Sequence, residues 1–310
     1  MTHDALRDTK FLLVNGVGEM PAVGFGTLFD KDPTVTKQAV KDALEVGFRH
    51  FDCAERYGNE EKVGVAIQEV LKAGNVRRED LFITTKLWNT NHRPERVAPA
   101  FEASRRRLQM DYIDCYIVHT PFAFLPGEDP NPRDEQGQVI YDSGVTLIET
   151  WRALERLVDE GRCKSIGLSD VTLKIVQEIV AAARIKPAVV QVESHPYLPE
   201  WELLEFCHQH GIILLAFAPL GHGVEPKLLE DPVITGIAER LEKTPAQVAL
   251  AWSIQRGAAF LTTSATRSHI QENFEISTLP PWAMREINED VTTRKRLNTV
   301  VETGVPGFIH

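Results

Sequence analysis

Asp52, Tyr57, Lys86 and His119 are the side chains whose types and spacing point most directly to chemistry. Three stand in or just after apolar, strand-like runs: HFDCA (50–54), LFITTKLW (81–88) and YIDCYIVHTP (112–121). Tyr57 follows the first run within AERYGNE. A phenol is a poor acid at neutral pH, with an ordinary pKa of about 10. A neighbouring ammonium stabilises the phenolate and is expected to lower that value. A carboxylate beside the ammonium keeps it charged and fixed. Such a set would deliver a proton to a developing alkoxide. Taken singly, each residue has a plainer reading. Asp52 before a turn reads as a cap, Lys86 as a surface charge, His119 as a satisfied core histidine, and Tyr57 as a packed aromatic.

These residues need elements that bring them to one place. Short β-rich runs occur at 23–27, 50–54, 81–87, 112–118, 164–168, 189–193, 212–217 and 259–263. Amphipathic helical stretches follow at about 35–46, 60–73, 94–108, 145–160, 171–183, 199–210, 245–256 and 267–273. Eight βα units predict an α/β fold, a (β/α)8 TIM barrel spanning 1–310 as a single domain. In such a barrel the C-terminal strand ends hold the chemistry, where these four residues fall. FLLVNGVGEMPAV (11–23) reads instead as two short strands around Asn15-Gly16, a hairpin signal. Residues 121–144, 219–232 and 293–310 are too long for tight connections and read as lids or binding loops. For 303–310 a disordered tail is an alternative.

Composition bounds the function. The chain has 310 residues, 43% hydrophobic and 25% charged, within the globular range. A net charge of −10 argues against a general nucleic-acid binder. Arg105-Arg106-Arg107 lies within a helical pattern and reads as a solvated face. Cys53, Cys115, Cys163 and Cys207 form no CxxC pair, so neither a disulfide framework nor a metal site is expected. The polar N-terminus MTHDALRDTK has no signal-like apolar segment, and no stretch reaches membrane-spanning length. A cytoplasmic protein without membrane or nucleic-acid partners, monomeric or weakly dimeric, is expected.

The segments FDCAERYGNE, TKLWN, DYIDCYIVHTP, GLSD, QVESHPYL and AFAPLG, in this order, resemble the aldo-keto reductase family. The resemblance runs from VGFGT at 23–27 to ENF at 272–274, and the spacings among positions 52, 57, 86 and 119 fit it. It implies a hairpin closing the bottom of the barrel. It also implies Tyr57 as general acid, Lys86 tuning it, Asp52 holding Lys86, and His119 orienting a small-molecule carbonyl substrate. No G-x-G-x-x-G follows the early strand, so a Rossmann site is not indicated. The resemblance instead implies NADPH and/or NADH lying across the barrel rim. Ser169, Asp170 and Gln191 match positions that hold the carboxamide, and Phe217 matches one that stacks on the nicotinamide. Thr27 also counts among the cofactor positions. Ala216 to Gly221, with Pro219 and Leu220, match the pyrophosphate path. Thr263, Ser264, His269, Glu272 and Asn273 match the adenosine end.

Two departures from the family pattern bear on the cofactor. Thr263 and His269 stand where a lysine and an arginine usually meet the 2′-phosphate, which wants fixed positive charge. Arg267 is a candidate substitute. Weakened NADPH preference, with substantial use of NADH, is therefore expected. Asp170 stands where asparagine is usual, and a carboxylate there would favour the oxidised, cationic nicotinamide. For the substrate pocket the candidate liners are Leu28, Phe29, Trp88, Thr120, Phe122 and Phe124. Leu28 and Thr120 replace frequent tryptophans, which widens the pocket. PGEDPNPRDEQGQVIYD (126–142) resembles the loop of the aldose and aldehyde reductase branch.

The expected function is reduction of aldehydes or aldoses to alcohols, without metal. Three rivals are a polyol or alcohol dehydrogenase running mainly oxidatively, a non-catalytic cofactor-binding regulatory subunit, and a structural or carrier barrel.

Overall fold

A computed structural model describes residues 5–14, 18–29 and 33–298. Along the chain, β1 (Lys10–Leu12) and β2 (Glu19–Pro21) are followed by β3 (Val23–Gly26), α1 (Thr36–Val46), β4 (His50–Asp52), α2 (Glu60–Lys72), β5 (Phe82–Leu87) and α3 (Pro94–Arg107). Next come β6 (Ile113–Val118), α4 (Leu147–Asp159), β7 (Cys163–Ser169), α5 (Leu173–Ala182), β8 (Val189–Glu193), α6 (Trp201–His210) and β9 (Ile213–Phe217). The described chain continues with α7 (Pro232–Leu241), α8 (Pro245–Gln255), β10 (Ala259–Thr262), α9 (Arg267–Phe274) and α10 (Pro281–Asp290).

Strands β3 to β10 pair in parallel and close into a barrel, with β10 returning to β3. Their residues are buried on both faces, which explains why they read as continuous apolar runs rather than alternating ones. All eight fall where the sequence places them. The fold is the expected (β/α)8 TIM barrel. β1 and β2 pair antiparallel, with Phe11 opposite Met20. Met20 is fully buried in the main core, and Thr9 O accepts from the N–H of Ala22 just before β3. The hairpin therefore caps the end of the barrel where the strands begin. The Asn15-Gly16 turn lies outside the described residues, as does the 303–310 tail.

Helix starts follow from side chains that satisfy free N–H groups. Thr146 and Glu149 form a reciprocal capping box on α4, and Thr244 and Gln247 do the same on α8. Two helices carry no match in the sequence reading, α7 and α10. Asp231, at the end of the presumed 219–232 loop, accepts from the N–H groups of Val233 and Ile234 and starts α7 at Pro232. These helices add to the eight βα units and build a second apolar cluster with α8, including Ile237, Trp252, Ile287 and Leu297. All four cysteines are buried and free. No described helix is long and apolar enough to cross a membrane.

Candidate active site

Each barrel strand ends in a residue on one rim, and a cavity of about 640 Å³ opens there. Gly26, Asp52, Tyr57, His119, Ser169, Asp170, Gln191, Phe217 and Thr263 all line it. These come from the ends of β3, β4, β6, β7, β8, β9 and β10 or the residues just beyond. Lys86 on β5 lies beneath the floor, with no exposure.

Lys86 Nζ has three protons and no acceptor capacity. All three are committed: to Asp52 Oδ2, to the carbonyl of Cys53 (3.0 Å) and to the hydroxyl of Tyr57 (3.1 Å). The other carboxylate oxygen of Asp52 accepts from Gln191 Nε2 at 2.8 Å. Since an ammonium only donates, the Tyr57 oxygen must accept from Lys86. The Tyr57 proton must therefore point elsewhere, and the cavity is the open direction.

Burial alone would strip the proton from Lys86, but Asp52 and Tyr57 outweigh it and hold the ammonium above lysine's ordinary range. For Tyr57 the sequence-based expectation reverses. Burial dominates and pushes the phenol up to about 12, while Lys86 only offsets part of that rise and Asp52 adds to it. The loss of water around the phenol outweighs the ammonium beside it. Tyr57 is thus a firmly protonated acid. His119 has its pKa driven well below the usual imidazole value, first by burial and then by Lys86, Arg56 and His92. Its ring is neutral, edge-on to Tyr57 (5.8 Å) and to Trp88 (5.1 Å). Nδ1 of His119 is sealed from solvent, without a partner among the described residues, while the residue lines the cavity, so Nε2 is the ring nitrogen left to face a ligand.

Lys86→Met should leave the buried Asp52 carboxylate with one donor, Gln191. An uncompensated buried charge costs about 3–5 kcal/mol. Urea unfolding should show a loss of that order. A loss below about 1 kcal/mol would mean the pair is not a buried ion pair in solution.

On the expected cofactor side, Ser169 ends β7 and Asp170 follows it in a left-handed conformation, φ 51°. Part of Asp170 borders the cavity, but Oδ1 is sealed off and has no partner among the described residues. Burial pushes its carboxyl up to about 7, with Arg296 opposing and Glu193 reinforcing that rise. The carboxyl is therefore far easier to protonate than an ordinary aspartate, and in that form it can donate. Phe217, at the end of β9, presents a half-exposed aromatic face to the same space. An aromatic ring lining the same cavity as an amide, a hydroxyl and a carboxyl suits a planar heterocycle bearing a carboxamide. The residues present therefore fit the nicotinamide end of the cofactor.

The other anticipated cofactor residues are buried, held by the chain itself or set apart from the cavity, except for Thr263 on its wall. Thr27 is buried and donates its hydroxyl to the carbonyl of Asp52. Pro219 is buried, Leu220 packs on the main core, and Gly221 turns the chain with φ 73°. Ser264 closes a turn onto the N–H of Thr266. His269 is exposed on α9, Glu272 is half-buried and Asn273 buried there. Thr263 Oγ1 donates to Gly26 O at 3.1 Å.

Among the anticipated substrate liners, only Leu28 reaches the cavity wall directly. Trp88 touches His119 but donates its Nε1 to Pro130 O at 2.6 Å, tying the 121–144 segment to the rim. The structure turns the others to packing. Thr120 donates to Asn89 Oδ1 at 2.9 Å, and Phe29 packs on Phe25. Phe124 is wedged between Trp88 and Tyr141, and Phe122 lies against Tyr141. Conversely, His222, Val224, Leu297 and Asn298 line the cavity, and the sequence does not single them out. Their segments carry no periodic pattern, so nothing local signals which side chains turn inward.

Comparison with known proteins agrees with this geometry. The model of the Aldo/keto reductase family matches residues 22–290. Aldo-keto reductase family 1 member A1 of Homo sapiens is 42% identical over 280 residues, covering 87% of this chain and 86% of the relative. Its Rattus norvegicus counterpart is 42% identical over the same length and coverage. The structure of the aldose reductase from Schistosoma japonicum superposes with a TM-score of 0.90 at 39% identity, covering 96% of both chains. An unbroken family match across the barrel, with relatives about 40% identical over most of its length, makes this chain an oxidoreductase of the aldo/keto reductase family.

Proposed function

We propose that this protein reduces aldehydes or aldoses to alcohols with a nicotinamide cofactor, with Tyr57 as general acid. The observation that carries this reading is the direction of the Lys86–Tyr57 hydrogen bond. It obliges Tyr57 to accept from the ammonium and leaves the phenolic proton for a ligand in the cavity. When bound, the cofactor supplies hydride to the carbonyl carbon. Neutral His119 donates to the carbonyl oxygen and orients it. As negative charge grows on that oxygen, Tyr57 transfers its proton, since an alkoxide is a far stronger base than a phenolate. Lys86, held by Asp52, faces the phenolate left behind. Phe217, Ser169, Asp170 and Gln191 are the residues that would hold the nicotinamide. The aldose class draws support from the name of the structural relative and from the 126–142 loop.

Substantial use of NADH is part of this reading. Arg267, the candidate substitute for the missing 2′-phosphate clamp, donates one guanidinium nitrogen to both Asp42 (2.8 Å) and Glu45 (2.7 Å) on α1. Its charge is already answered. Thr263 is engaged with Gly26. Releasing Arg267 with Asp42→Asn and Glu45→Gln together should improve NADPH binding relative to NADH by roughly three- to tenfold, the worth of one charged contact near solvent. Titration of tryptophan fluorescence with each cofactor measures this. An unchanged ratio would show that Arg267 does not reach the phosphate.

The deciding experiment is steady-state reduction of an aldehyde and aldose panel with NADH and NADPH in parallel. Turnover with either supports the reading. Cofactor binding without turnover favours a regulatory cofactor-binding subunit, and neither binding nor turnover favours a carrier barrel. Asp170 favours a second reading, oxidation of polyols. Above pH 7 its carboxylate would draw the oxidised cofactor, and faster oxidation than reduction there would establish it.

A further inference from the structure

Glu193 ends β8 two residues beyond Gln191, so both project to the same side of the strand. Its carboxylate is fully buried and gathers the C-terminal segment to the rim. Oε1 accepts from the backbone N–H of Leu297 (2.6 Å) and of Asn298 (2.9 Å), and lies 2.9 Å from His195 Nε2. Oε2 faces Arg296 at 3.4 Å. Burial alone would raise this carboxyl, but His195 and the two backbone N–H groups hold it below its ordinary value. Residues 291–298 form neither helix nor strand, so their N–H groups have no ladder to join. The strand-end carboxylate supplies the acceptor for Leu297 and Asn298, while the N–H of Lys295 donates to Tyr197 O at 3.0 Å and Arg296 also reaches Glu200 at 3.4 Å.

What it fixes is a wall of the cavity. Leu297 and Asn298 both line the space that Tyr57 and His119 face. Leu297 is also packed against Gly221, where a Cβ would come within 2.8 Å of its Cδ1. A wall with no secondary structure of its own takes its position from whatever tethers it.

We propose that Glu193 is a positioning residue that clasps residues 296–298 to the end of β8, and so sets the size of carbonyl substrate the cavity accepts. This rests on the reading of the cavity as a carbonyl site. The test is kcat/KM for a small and a bulky aldehyde in the full-length enzyme. It compares the wild type with Glu193→Gln, Leu297→Ala and the double variant. Glu193→Gln should raise the bulky-to-small ratio about tenfold, the scale on which hydrophobic walls discriminate. Cofactor affinity, read by tryptophan fluorescence, should stay close to wild type. Leu297→Ala should act in the same direction, and the double variant should fall short of the product of the two, because both act on one wall. A merely less folded enzyme loses activity on both aldehydes equally, so an unmoved ratio in Glu193→Gln overturns the proposal. Arg296→Gln loosens the same clasp from its more exposed side and carries the test if Glu193→Gln does not fold. If the wild type reduces neither aldehyde, the functional reading falls instead. The clasp is then judged by hydrogen exchange: the amides of Leu297 and Asn298 must exchange faster in Glu193→Gln, and equal rates overturn it.

Discussion

Tyr57→Phe should cut carbonyl reduction by about a thousandfold or more while leaving cofactor affinity nearly unchanged; a positioned general acid is typically worth 10²–10⁴-fold. The substitution removes one oxygen and keeps the ring that stacks edge-on to His119. Lys86 loses one of three acceptors but retains Asp52 and the carbonyl of Cys53, so the ion pair beneath the floor survives. The loss should therefore appear in kcat rather than in the fraction of folded enzyme. It should also be insensitive to raising pH toward 9. Burial holds the wild-type phenol protonated up to about 12, so no titration of Tyr57 shapes the profile below that. Single-turnover reduction with NADH or NADPH, alongside fluorescence titration of both, separates chemistry from binding. Residual activity within tenfold of wild type would move the acid role to another group, with His119 the first candidate.

The barrel was legible because each of its strands is a short apolar run buried on both faces and followed by an amphipathic helix. The tetrad was legible because all four residues lie at or just past such runs. The direction of the Tyr57 shift was not. It depends on how deeply the phenol is desolvated and on how much of that cost Lys86 offsets, and neither is a property of spacing. The substrate wall was the least legible part. Phe122, Phe124 and Thr120 stand on the right loop, yet Tyr141 and Asn89, many residues away, claim them for packing and hydrogen bonding. Helices α7 and α10 escaped because the period of eight βα units was already complete without them. Glu193 had a signal that went unused: it lies two residues beyond Gln191 on one strand, and so on the same side.

Asp170→Asn should stabilise the protein at pH 8 by on the order of 2–4 kcal/mol and by roughly a third of that at pH 5. In the folded chain the carboxyl is pushed up to about 7, against 3.8 ordinarily. Between those values the folded protein binds a proton that the unfolded chain has released. Stability therefore falls as pH rises through that window. The penalty is absent below about 4 and complete above about 7. The figure is reduced for the part of the residue that borders the cavity. Asparagine removes the ionisation and tolerates the left-handed backbone at φ 51°. Urea unfolding of both proteins at pH 5 and pH 8 checks this, and an equal gain at both values would place the effect elsewhere than in the proton. The same proton bears on function. Above pH 7 the ionised carboxyl should favour oxidised cofactor, so Asp170→Asn should weaken NAD(P)+ relative to NAD(P)H at pH 8. At pH 6, where the carboxyl is mostly protonated, the two proteins should bind the pair in nearly the same ratio. A ratio of dissociation constants that the substitution leaves unchanged at pH 8 would remove Asp170 from nicotinamide recognition, whatever its contribution to stability.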